Sequence, residues 1–134
     1  MEAQKQPMAP LRLDRVVVND IQYHRNATVI SKFDYETSFE RKVDSEDDVN
    51  FRVSLTCKLQ SEDNAVTLSI TVTGYFYCDC EDKKIKNVLV SNNATAILFP
   101  YLRSQVSLVT TQPDIPPIVI PPMNVLALFK AETE

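Results

Sequence analysis

Hydrophobic and polar positions alternate one for one through the first half of the chain. Phe33, Tyr35, Thr37 and Phe39 alternate with Lys32, Asp34, Glu36, Ser38 and Glu40. Val49, Phe51, Val53, Leu55, Cys57 and Leu59 alternate with Asn50, Arg52, Ser54, Thr56, Lys58 and Gln60. Val66, Leu68, Ile70, Val72 and Phe76 alternate with Thr67, Ser69, Thr71, Thr73 and Tyr75. A period of two puts successive side chains on opposite faces of a strand. These segments are therefore three strands, each apolar on one face and polar on the other, as in an antiparallel sheet with one face in water. The connectors Asp44–Asp48 and Ser61–Asn64 are short and polar, as hairpins require. A further strand, about Leu11 to Tyr23, centres on Val16-Val17-Val18. Its alternation is imperfect, which fits an edge strand or a subunit contact.

After Asp82 the period lengthens. Ile85, Val88 and Leu89 predict a short helix, and Ser91-Asn92-Asn93 reads as an interruption whose side chains cap the next one. Ile97, Leu98, Tyr101, Gln105, Leu108 and Val109 then recur at three- and four-residue steps, predicting a main helix that runs to about Thr110. Pro100 lies inside it, where proline removes a backbone hydrogen bond and favours a bend. Residues 112–122 hold five of the eight prolines, so this stretch must be extended. Asn124 can cap a last short helix ending near Lys130. The expected fold class is α+β: a four-stranded antiparallel meander, one face covered by a long kinked helix and a short C-terminal helix. With 134 residues the chain fits one domain, residues 11–134, after a loose tail over residues 1–10.

Composition removes several kinds of chemistry. The formal charge is −4 and no basic cluster exceeds two residues, which argues against nucleic acid. Gly74 is the single glycine, too few for a phosphate-cradling loop. No apolar run approaches the roughly 20 residues of a membrane span, so no membrane insertion is expected. The N-terminus lacks the apolar core of a signal peptide. The odd count of three cysteines fits a reducing compartment, and the expected location is cytoplasmic. Cys78 and Cys80, with Cys57 and His24, supply four soft ligands on paper. Their spacing is that of one strand face, so we read the cysteines as small apolar side chains and expect no metal and no cofactor. One histidine cannot build a hydrolytic triad, and the acidic clusters fall at turns, so no enzyme is expected. Apolar surface is what remains. Ile115, Ile118, Val119 and Ile120 sit in a loop, where they plug the core, meet another subunit or line a groove. Met123 leans toward a groove because a flexible thioether adapts to varied partners. Phe33, Tyr35 and Phe39 fit either a core or a binding surface.

Three motifs, Leu98-Phe99-Pro100-Tyr101-Leu102-Arg103, the proline cluster Pro113–Pro122, and Met123-Asn124-Val125-Leu126-Ala127-Leu128-Phe129, together resemble the SecB family of export chaperones. The Arg15–Asp20 stretch and Asp47-Asp48-Val49 resemble that family's first and third strands. The resemblance runs from about Arg12 to Lys130. It implies an ATP-independent holdase, assembled as a homotetramer (a dimer of dimers), that binds unfolded or aggregation-prone polypeptides in apolar grooves. By position, Phe33, Phe39, Leu68, Ile118, Ile120, Met123, Val125 and Leu126 would contribute to that groove. Family members that deliver clients to the SecA motor use acidic side chains on the outer sheet face. At those positions this chain has Asp20, His24 and Thr71, so a motor contact falls to Asp20. The resemblance also admits an adaptor dedicated to one partner, such as an antitoxin.

Overall fold

The computed structural model describes residues 10–26, 34–62, 64–113 and 116–129. Nearly all of the N-terminal tail, Phe33, Ile115 and Lys130, near which the sequence predicts the last helix to end, lie outside that range, as does the side chain of Leu126. Four strands form one antiparallel sheet: β1 (Leu11–Arg25), β2 (Tyr35–Ser45), β3 (Asn50–Ser61) and β4 (Val66–Cys78), in the order β1-β4-β3-β2. The last three are a meander, and β1 lies outside β4 as an edge strand.

The uneven pattern of β1 has a geometric cause. Its pairing with β4 shifts register between Leu13 and Arg15 and again between Val18 and Asp20. Each shift inserts a residue and reverses which positions face inward. Leu11 and Leu13 oppose Cys78 and Phe76, Val16 and Val18 oppose Gly74 and Val72, and Tyr23 opposes Leu68. The inward phase thus changes twice within one strand. The second bulge is held by Asn19, whose Oδ1 accepts a 3.0 Å hydrogen bond from Thr73 Oγ1.

β3 and β4 follow the sequence expectation closely, with Val53, Leu55, Cys57, Leu59, Val66, Leu68, Ile70, Val72 and Phe76 buried on one face. The opposite face is tied by hydroxyl pairs, Ser54 to Thr73 and Thr56 to Thr71, both at 2.8 Å. The β2–β3 connection is tighter than the acidic run suggested, because β2 continues to Ser45. Asp47 organises the turn: Oδ1 accepts from the Val49 and Asn50 N–H groups and Oδ2 from Asn50 Nδ2, at 2.8 to 2.9 Å. The Asn50 side-chain bond, then these backbone bonds, hold the Asp47 carboxyl below its ordinary value. Since the folded pKa is the lower one, the turn is strengthened above the unfolded pKa and loses that support as pH falls through the folded value. We expect the Val49 and Asn50 amides to lose exchange protection below about pH 4, ahead of the core strands. Uniform loss across the sheet would contradict this.

Helix α1 (Lys83–Val88) starts at Asp82, whose side chain accepts from the Lys84 and Ile85 N–H groups. The chain does not break at Ser91-Asn92-Asn93 as expected. Residues Leu89–Asn93 form a π-helical turn that joins α1 directly to α2 (Ala94–Thr110), and Asn93 makes no side-chain cap. Polar side chains do not stop a helix whose carbonyls find other donors. Ser91 O, at the wide turn, accepts from Thr95 Oγ1 at 2.5 Å and from Arg41 Nη1 at 3.3 Å. Pro100 sits on the exposed side of α2, where its missing N–H costs least. Helix α3 (Val125–Leu128) completes the apolar layer, and Phe129 just beyond it is buried. Among the described residues no helix is long and apolar enough to cross a membrane.

The inner face of the sheet and α2 meet closely at Gly74. A methyl group added there would lie 2.6 Å from Phe76 Cε2 and 3.0 Å from Leu98 Cδ1. The missing side chain lets the Phe76 ring fold over the strand and Leu98 press down on it.

Candidate binding surface

Helix α2 is apolar on two sides. Ala94, Leu98, Phe99, Leu102 and Val106 are buried against the sheet. Ile97, Tyr101 and Leu108 are exposed on the other side, Leu108 at 66%. Their spacing, with Ser104 between, alternates four and three residues, so they form one stripe along the helix. Of the apolar positions singled out in the sequence, only Leu98 belongs to the fully buried face. A helix with apolar residues on two sides gives the spacing but not the orientation.

Beside this stripe runs a strap, residues 116–124, between α2 and α3. Ile118 and Ile120 are 5% and 3% exposed and join the core, whereas Val119 between them is 62% exposed. No strand pairs with the strap among the described residues; its backbone is bonded to side chains of α2. Thr110 Oγ1 accepts from the Ile118 N–H at 2.8 Å, Ser107 Oγ donates to Ile118 O at 3.1 Å, and Arg103 Nε donates to Ile120 O at 2.8 Å. Thr110 is itself fixed by donating to Val106 O at 2.7 Å. Between strap and helix lies an open groove of about 500 Å³, lined by Pro100, Ser104, Leu108, Thr111 and Val119.

The expected groove residues separate in this chain. Leu68, Ile118, Ile120 and Val125 are buried together in the core. Phe39 is half-buried at its edge, its ring set edge-on to Phe99 with centroids 5.6 Å apart. Met123 is exposed. Of the three possibilities for the loop aliphatics, Ile118 and Ile120 fill the core and Val119 faces outward. Sequence reasoning did not single out Arg41. It points to the apolar side of β2, bonds Ser91 O and stacks over the Phe129 ring at 4.7 Å, linking β2 to both helical segments.

The outer sheet face is polar. Asp20 pairs directly with Thr71 and His24 with Thr67, so Asp20, His24 and Thr71 share that face. Asp20 Oδ2 accepts from Gln22 Nε2 at 3.1 Å. A shallow hollow of about 360 Å³ on the outer face is lined by Gln22, Ser38, Lys58, Gln60 and Thr67. The cysteines are free thiols, and burial raises Cys57 to about 12 and moves Cys78 in the same direction. Neither offers a thiolate at neutral pH.

The sequence matches the SecB family, described as preprotein translocase subunit SecB, over residues 4–134. The protein-export protein SecB of Neisseria gonorrhoeae is 29% identical over 98 residues, covering 73% of this chain and 67% of that protein. An uncharacterized protein of Methanocaldococcus jannaschii is 38% identical over 64 residues, 48% of this chain. The matched stretch spans only 41% of that relative's length. The fold is that of a Mycobacterium tuberculosis SecB-like chaperone solved with a ChAD peptide from the HigA1 antitoxin. That likeness has a TM-score of 0.70 at 17% identity and covers 84% of this chain and 87% of the other.

Proposed function

The chain belongs to the SecB family of chaperones, which are not enzymes, and from that premise we propose that it is an ATP-independent holdase for unfolded or aggregation-prone polypeptide. The observation that carries this reading is apolar surface left open on α2 and on the strap: Ile97, Tyr101 and Leu108, then Val119 and Met123. Removing such surface from water is worth about 25 cal/mol per Å² and requires no particular client sequence. An unfolded chain exposes matching surface and a folded one does not. The client groove is proposed to lie under the strap, where Phe39, Leu68 and Val125 pack with Ile118 and Ile120, with Met123 at its rim; Phe33 and Leu126 are proposed to contribute by their position in the family pattern. The particle is proposed to be a homotetramer in the cytoplasm, in which part of the α2 stripe is taken up between subunits and several grooves hold one long client.

The test is suppression of aggregation. At equimolar subunits and without nucleotide, the protein should keep several unrelated denatured proteins in solution. Failure on all of them would overturn the holdase reading. Leu108→Asp should fold normally, because the side chain is exposed, and should lower either the assembled mass or client capture. A variant matching the parent in both would remove the stripe from the account.

A second reading, an adaptor dedicated to one partner such as an antitoxin, is favoured by the outer face. A contact with the SecA motor would fall to Asp20, since His24 and Thr71 beside it are not carboxylates. A dedicated adaptor would protect one partner and none of the unrelated proteins.

A further inference from the structure

Resting on the holdase reading, we propose that the strap is a built-in competitor for the client site. Ile118 and Ile120 occupy the pockets that take client side chains, and a client binds by displacing them. The class of client segment follows: an extended stretch with β-branched aliphatics two residues apart.

Three observations lead there. First, residues 118–120 show the in-out-in burial of a strand while pairing with no strand among the described residues. Second, the strap's main chain is held by the side chains of Arg103, Ser107 and Thr110, which lie on one face of α2. Such groups grip an extended backbone without reading its sequence, and the buried positions on either side of Val119 fix a two-residue register. A site of this form suits an unfolded chain as well as it suits the strap. Third, prolines flank the triplet on both sides, Pro116-Pro117 and Pro121-Pro122. Proline fixes φ and donates no hydrogen bond. A detached strap therefore stays extended, is poorly suited to pairing with other chains, and re-docks at low entropic cost. Tethering gives it an effective concentration on the order of millimolar. Short or poorly matched segments lose that competition, and only long, repeatedly apolar chains win it.

The proposal predicts a sign. If Ile120 were a permanent wall of the groove, shortening it would weaken client binding. If it is a competitor, shortening it strengthens binding. Ile120→Val and Ile120→Ala would be titrated against fluorescein-labelled, reduced and carboxymethylated α-lactalbumin, which cannot refold. Thermal melting would check the fold, with Ile120→Val as the mild variant. We expect affinity to rise roughly threefold for valine and tenfold or more for alanine. We expect the Ile118 amide of the parent protein to exchange faster as the unfolded protein is added. A long serine-rich polypeptide with isoleucines recurring in i, i+2 pairs should compete better than an isomer of the same composition with i, i+3 pairs. Unchanged or weaker binding by both variants, with the Ile118 amide equally protected in the complex, would overturn the proposal while leaving the holdase reading intact. Absence of binding by parent and variants alike would overturn both.

Discussion

Replacing Phe76 with alanine should lower the free energy of unfolding by about 3–5 kcal/mol, the range for a fully buried aromatic. The site sits at the high end because it cannot collapse. The ring covers Gly74, which has no side chain to move into the space, and Leu98 already rests there. Gly74→Ala attacks the same contact from below, since the new methyl would fall 2.6 Å from the ring. Overpacking of this kind costs about 1–3 kcal/mol. The two positions touch, so their effects should not add. Phe76→Leu, which shortens the side chain, should recover part of the Gly74→Ala loss in a double-mutant cycle. Chemical denaturation followed by circular dichroism measures all of these. Additive losses would mean that the close approach of α2 to β4 is not governed by this pair.

Ile120→Asp should also have a large effect, of a different shape. A carboxylate placed where Ile120 is 3% exposed cannot stay both buried and charged. The strap can leave the core without unwinding the sheet, because it contributes no strand to it. The penalty is therefore capped at the free energy of detaching residues 116–124, a local opening rather than global unfolding. Amide exchange should show loss of protection at Ile118 and in α3, with β3 and β4 still slow. Global unfolding would show that the strap is an inseparable part of the core. Leu102→Asp, on a helix that cannot swing away, should unfold the domain.

The sequence revealed its sheet where the period of two ran unbroken. Val53 to Leu59 and Val66 to Val72 each keep one phase, so their inner face could be read directly. β1 could not be read so, because its two bulges reverse the phase at Asp14 and Asn19 and leave no single alternation. The main helix was legible in extent but not in orientation. Ile97, Tyr101 and Leu108 are as periodic as Leu98, Leu102 and Val106, so the period alone does not say which set is buried. The family motifs identified the scaffold, but they did not place the strap. Whether Ile118 and Ile120 point into the core depends on Thr110, Ser107 and Arg103, which read along the chain as ordinary polar positions of a helix. Arg41 was hidden for a similar reason: a charged residue on an apolar strand face looks like an error in the pattern until the Phe129 ring and the Ser91 carbonyl are brought to it.

Capture of unfolded chain, and not of the folded form, by open apolar surface can be followed directly by tryptophan fluorescence. This chain contains no tryptophan, so the emission of a tryptophan-containing client reports on the client alone. Titrated without nucleotide into such a client held unfolded, the protein should shift the emission to the blue and saturate at a fixed ratio of subunits. The same client in its native state should give no change. A flat titration with the unfolded form, or equal binding of both forms, would mean that this surface is not a client site.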